Sequence, residues 1–205
     1  MAQNFLLFLI FSLTIFGFLG TAESRSRARM YIQAQCQPTL YFDLCVRTLL
    51  PYTTKELPSP QRLAQITLTT CLVKARFTKV YVDMIAKQYN KTTNHEEYQA
   101  LEDCLNQINN GVNQITQSVK EIQQMGIDGE EKFVWHESNV KSWVSAALTD
   151  TTTCMDGFLG DEVGSREKRM IKARFLNVKQ LASNSLGMFN RFTARHRASH
   201  AIRNP

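Results

Sequence analysis

Between Glu96 and Gln124 the apolar residues Leu101, Leu105, Ile108, Val112, Ile115, Val119 and Ile122 recur at steps of three and four. That spacing is a single apolar stripe on one side of a long helix. Such a stripe leaves water only by packing against others of its kind, and the chain supplies them. The segment from Ser59 to Gln88 has Ser59 as an N-cap and Pro60 at the first helical position. Its apolar residues include Leu63, Ile66, Val73, Phe77, Val80, Met84 and Ile85. Two further helices are expected over about Val134–Phe158 and Ser165–Phe192, with Gly126, Gly129, Gly157, Gly160 and Gly164 marking turns. No segment reads as a strand. Long amphipathic helices with short connections predict an all-α protein, an up-and-down four-helix bundle over residues 59–192.

Residues 30–50 are left over from the bundle. They contain CQPTLYFDLC, Cys36 to Cys45. On one continuous helix these cysteines would stand roughly 13 Å apart, whereas a disulfide tolerates Cα separations up to about 7 Å. The chain must bend for them to bond, and Pro38 supplies the bend. The segment is therefore expected to be a helical hairpin appended to the bundle and closed by a disulfide. Closing a loop of about ten residues contributes roughly 2.7 kcal/mol in the chain-entropy model. The pairing among Cys71, Cys104 and Cys154 stays open on spacing alone. A Cys104–Cys154 bridge would tie neighbouring helices and leave Cys71 as a buried, inert thiol.

Disulfides require an oxidising compartment, and the N-terminus points to one. FLLFLIFSLTIFGFLG is followed by GTAES, with the small residues Gly20 and Ala22 at a cleavage position. Residues 1–22 read as a secretory signal, too short to be a comfortable membrane span, and residues 23–205 as one mature domain. The chain carries 24 Lys and Arg against 18 Asp and Glu, a net charge of +6. The excess clusters at Arg25, Arg27 and Arg29, in SREKRMIKAR, and in a basic tail over 193–205. A basic secreted protein is drawn to acidic polymers. Nucleic acid is disfavoured by the secretory route and by the lack of an aromatic-interleaved basic motif.

The order CQPTLYFDLC, ALEDCLNQINNGVNQI, SNVKSWVSAALTDTTTCMDGF and KQLASNSLGMFNRF closely resembles the plant invertase and pectin methylesterase inhibitor family. The resemblance spans about Met30 to Phe192. It implies a secreted four-helix bundle with a preceding hairpin and bridges Cys36–Cys45 and Cys104–Cys154, with Cys71 free. It implies inhibition of either of two enzymes. Family invertase inhibitors carry a Pro-Lys-Phe motif; here Glu131 stands in place of the proline, before Lys132 and Phe133. Phe133, Trp135 and Trp143, with TCMDGF and LASNSL, look instead like the pectin methylesterase group. The expectation is a secreted, apoplastic inhibitor that covers the pectin-binding cleft of a methylesterase in a one-to-one complex. Inhibition of acid invertase is the alternative, and a small-molecule-binding helical bundle is a reading of another class.

The resemblance carries partner contacts to Asn106, Asn110, Asn113, Thr153 and Asp156. The first three are often acidic in family inhibitors and are amides here. With Gln117 they form an uncharged polar row opposite the apolar stripe, although asparagine is a poor helix former. Amides do not titrate, so a weak pH dependence is expected. No enzyme is expected: His95, His136, His196 and His200 are scattered without HExxH, GxSxG or a cysteine–histidine pattern, and the two in the tail read as surface residues. No metal site or cofactor is expected either. Asn90-Lys91-Thr92 is the sole N-glycosylation sequon, placed away from the contact face. Arg191, Arg195, Arg197 and Arg203 are candidates for electrostatic contact with acidic pectin, and no membrane contact is expected once the signal is removed.

Overall fold

The computed structural model describes residues 25–53, 56–88, 95–127, 129–157 and 166–203. The expected signal over residues 1–22 and the sequon at Asn90 lie outside the described residues. Among the described residues there is no strand, and no helix is long and apolar enough to cross a membrane.

The first described helix, α1, covers residues 25–36 and starts before the expected hairpin boundary at Met30. It ends where Pro38 forbids continuation. The Thr39 backbone N–H and hydroxyl both donate to the Cys36 carbonyl, at 2.9 and 2.7 Å, and close the turn. Helix α2 follows over Phe42–Leu49, then a short 3-10 turn over Leu50–Tyr52. Cys36 and Cys45 are bonded with their Cα atoms 5.8 Å apart, so the bend anticipated between them is present. The hairpin docks on the last helix. Asn184 grips the Tyr41 backbone on both sides, accepting from its N–H at 3.0 Å and donating to its carbonyl at 2.8 Å. Gly187 lies beneath the turn, where an added Cβ would come within 3.3 Å of the Thr39 methyl.

Four long helices form the bundle: α3 Pro60–Ala86, α4 His95–Gln124, α5 Glu130–Gly157 and α6 Arg166–Arg203. Ser59 caps α3 by accepting from the Arg62 N–H, with Pro60 at the first position. Gln61 of α3 donates to the carbonyls of Ile122 and Met125, satisfying the open end of α4. Gly126 and Gly129 have φ of 88° and 87°, a conformation strained for any side chain, and turn the chain into α5. Each helix packs on two neighbours, in the cyclic order α3, α4, α5, α6. Ile108, Ile115, Ile122, Phe133, Val140, Phe175 and Phe189 lie in the shared core. Cys71 is free and buried there, its thiol pushed up to about 12 by burial, which makes it inert packing.

Four expectations change. The chain beyond Phe192 is the continuation of α6 as far as Arg203. Those turns hold because α5 gives them something to pack on: Thr193 is buried and the His196 ring stacks on Phe133 at 3.9 Å. His196 is thus part of the packing, and not a plain surface residue. Arg197 also donates to Glu137 at 3.1 Å. Helix α5 begins at Glu130, four residues before the expected start. On α3, finally, Val73, Phe77, Val80 and Met84 are exposed. Leu63, Ile66 and Ile85 are buried, and the rest of the buried face is built from Ala64, Leu68, Cys71, Ala75 and Val82.

Candidate functional site

Helices α4 and α5 run antiparallel and are joined at three levels. At one end Cys104 and Cys154 are bonded, Cα atoms 4.7 Å apart. Midway, Gly111 faces Ala147, where an added Cβ would make an ordinary contact with the alanine methyl at 3.9 Å. At the far end the Glu121 carboxylate meets His136 Nδ1 at 2.8 Å and accepts from Asn139 Nδ2 at 2.8 Å. A covalent bond, a packing contact and a polar clasp fix the two helices as one slab. Interaction energy spent on docking such a surface is not lost to ordering it.

The solvent side of α4 carries Asn106, Asn110, Asn113 and Gln117, all exposed. At about 1.5 Å per residue the row is about 16 Å long. Thr153 and Asp156 are exposed at the end of α5, held by the disulfide at the level where the amide row begins. The five residues expected at the contact therefore share one slab. The sequence reading missed what stands beside them: Ser138, Ser142, Ser145 and Thr149 continue from Thr153 down the solvent side of α5. Their spacing of three and four is itself a helical signal, carried by polar residues and so absent from the apolar period. Thr149 and Thr153 donate back to carbonyls one turn earlier, at 3.2 and 3.1 Å, so their oxygens are presented as acceptors.

The slab is thus two parallel rows, amides on α4 and hydroxyls on α5, with few titrating groups. Asp150 is half-buried between the helices, and burial raises its carboxyl above its ordinary value, against a hydrogen bond from Gln114 that lowers it. Near the disulfide, Gln99, Asp103, Gln107, Thr153 and Gly157 edge an open hollow. This arrangement offers donors and acceptors over a rigid plane. It brings together no nucleophile with a base, and among the described residues no cluster of metal-ligating side chains.

Lys132 and Phe133 lie elsewhere, in the first turn of α5. Lys132 is exposed, but Phe133 is 1% exposed, stacked on His196 and edge-on to Phe192 with ring centres 6.0 Å apart. A ring so enclosed cannot enter another protein's active site without unpacking the end of the bundle. Trp135, at 61% exposed, is the aromatic that reaches solvent there.

A family model described as plant invertase/pectin methylesterase inhibitor matches residues 30–188. The chain is 39% identical over 188 residues to pectinesterase inhibitor 9 of Arabidopsis thaliana, covering 91% of this chain and 92% of that one. It is 36% identical over 176 residues to pectinesterase inhibitor 11 of the same plant, covering 85% and 86%. Among solved structures, a mutant form of a pectin methylesterase inhibitor from Arabidopsis superposes with a TM-score of 0.60 at 17% identity, over 76% of this chain and 92% of that one. At that identity the likeness speaks for the fold.

Proposed function

Because the chain belongs to the plant invertase/pectin methylesterase inhibitor family, we propose that it inhibits plant pectin methylesterase by covering the enzyme's pectin-binding cleft with the α4–α5 slab. The observation that carries this reading is the 39% identity, over nine tenths of both chains, to a protein named as a pectinesterase inhibitor. As a member of an inhibitor family it acts by occlusion and performs no chemistry of its own. Acid invertase is not favoured, since the relatives named above are pectinesterase inhibitors and Phe133 is enclosed in the core.

The proposed contact residues are Asn106, Asn110, Asn113, Thr153 and Asp156, with Ser142, Ser145 and Thr149 added. The slab is large enough. A 30-residue helix is about 45 Å long and two packed helices are about 20 Å wide, roughly 900 Å² against the ~800 Å² per partner of a standard interface. One inhibitor then suffices for one enzyme. Hydrogen bonds between uncharged groups cost less to desolvate than buried charges, so the two rows can be covered cheaply and Asp156 is the contact carboxylate that needs a donor or cation from the enzyme. The protein is proposed to act in the apoplast after secretion, with Asn90 as a glycan acceptor.

The test is inhibition of a purified plant methylesterase and of a cell-wall invertase by the secreted, oxidised protein in one buffer, with the mass of any complex read by size exclusion. Arrest of the methylesterase alone, with one inhibitor per enzyme, is expected. Arrest of the invertase alone would overturn the proposal.

A further inference from the structure

The charges of the bundle are segregated. Helices α3 and α6, neighbours in the ring, carry fourteen Lys and Arg against two carboxylates, Asp83 and Glu167. Helices α4 and α5 carry ten carboxylates against Lys120, Lys132 and Lys141. The molecule thus turns an acidic and amide side toward its proposed enzyme and a strongly cationic side the other way.

The centre of the cationic side is the unexpected apolar stripe of α3. Val73, Phe77, Val80 and Met84 recur at steps of four and three, with Phe77 63% and Val80 66% exposed. At 3.6 residues per turn, Lys74 and Tyr81 flank the stripe toward α6, and Arg76 and Lys79 flank it toward α4. Tyr81 is held by Arg174 of α6, whose guanidinium lies 4.1 Å from the ring centre. The level is set by two contacts, Cys71 with the Val178 carbonyl and Tyr81 with Arg174, so Arg174 is the cation that α6 adds beside the stripe. Lys74, Arg76 and Lys79 enter no ion pair among the described residues, and Asp83, one turn from Lys79, is paired with Lys87 instead. Two of the tail arginines expected to serve as the acidic-polymer contact are engaged instead, Arg191 with Gln35 and Arg197 with Glu137.

We propose that the α3–α6 face is a docking site for a linear acidic polysaccharide, a polyuronate with free carboxylates, which Lys74, Arg76 and Lys79 pair while its pyranose rings lie on Phe77 and the stripe. A folded acidic protein would need a matching surface, whereas a sugar chain presents carboxylates along its edge and apolar C–H faces between them. That alternation fits a stripe flanked by cations on both sides. The choice of a polyuronate over other polyanions rests on the function proposed above. Methylesterase hydrolysis turns each uronate methyl ester and a water into a carboxylate, a proton and methanol, so the acidic polymer is the target's product. Product made by the enzyme then gathers its inhibitor, with the α4–α5 slab still open to the enzyme on the far side.

The test is retention of the full secreted protein on immobilised polygalacturonate and on a fully methyl-esterified pectin, across a salt series. Retention by polygalacturonate alone, released by salt, is expected. Lys74→Gln with Arg76→Gln and Lys79→Gln should weaken it about tenfold or more and flatten its salt dependence. Phe77→Ser should weaken binding without changing the salt slope, and Asn110→Arg should leave binding at least as strong. Equal retention of the triple variant and the parent, or equal binding to anionic lipid vesicles, overturns the proposal. A protein that stops the methylesterase but ignores polygalacturonate refutes this inference alone. One that binds polygalacturonate but leaves the methylesterase active keeps the site and refutes the inhibitory reading.

Discussion

Replacing Phe133 with alanine separates a core residue from a reactive-site residue. The ring is 1% exposed and touches His196 and Phe192, so its loss removes a full aromatic burial and leaves a cavity at the end of the bundle. Phe→Ala changes at such sites cost about 3–5 kcal/mol. For a domain of this size each kcal/mol lowers the melting temperature by about 2–4 °C, so a drop of roughly 6–20 °C is expected in a thermal melt followed by circular dichroism. The last turns of α6 should suffer most, since the His196 stack is part of what holds them. Methylesterase inhibition, assayed well below the new melting temperature, should stay within about threefold of the parent, because the slab lies on the other side of α5. Trp135→Ala is the control: the side chain is 61% exposed and its removal should move stability by no more than about 0.5 kcal/mol. A Phe133→Ala protein that melts like the parent yet has lost inhibition would refute the reasoning, and Lys132–Phe133 would have to be read as a reactive motif.

Converting Cys104 and Cys154 together to alanine should cost about 4 kcal/mol in urea unfolding, against about 2.7 kcal/mol for the Cys36–Cys45 pair, because the loop it closes is longer. Burial alone would raise the Glu137 carboxyl, but hydrogen bonds from Lys141 and Thr193 and the charges of Lys141 and Arg197 outweigh it and hold it below its ordinary value of 4.5. Its folded value being the lower one, Glu137 contributes stability that is present above about pH 4.5 and lost as pH falls further. Glu137→Gln should cost about 1–2 kcal/mol at neutral pH and shrink that acid-side loss, read from unfolding curves between pH 3 and 7. Asn110→Arg should weaken methylesterase inhibition roughly tenfold or more while leaving the melting temperature in place; unchanged inhibition would exclude the amide row from the contact. Inhibition should vary little from pH 4.5 to 7.5, and what variation there is should diminish in Asp150→Asn, where burial has raised the carboxyl.

The bundle was legible in the sequence because burial imposes a period that survives in any one chain. Leu101 to Ile122 showed α4, and Ser59 with Pro60 showed the start of α3. The same reasoning misjudged Val73, Phe77, Val80 and Met84. An apolar stripe at helical spacing says that a face exists, and says nothing of whether a neighbour covers it. Helix α6 was cut short for the opposite reason. From Thr193 to Arg203 polar and basic residues hide the period, and the partners that hold those turns, Phe133 and Glu137, lie some sixty residues away. Of the proposed contact face, the residues carried by the resemblance, Asn106, Asn110, Asn113, Thr153 and Asp156, are all exposed on α4 and α5. The hydroxyl row beside them follows from geometry alone, once α5 is set against α4.

The grip of Asn184 on Tyr41 also sets an order in time. The two residues are 143 positions apart, and the neighbouring Arg191–Gln35 contact spans 156. Contacts of such sequence separation carry the largest loop-closure entropy in the chain and form last. A chain emerging from the ribosome therefore presents its first helices early, with α3 as one wall of their seat and the other wall missing until α6 is complete. The short Cys36–Cys45 loop can close by itself during that wait, so the N-terminal hairpin arrives at its late docking already folded. Any truncation within α6 before Asn184 should leave a chain whose two ends never meet, however well its middle helices assemble.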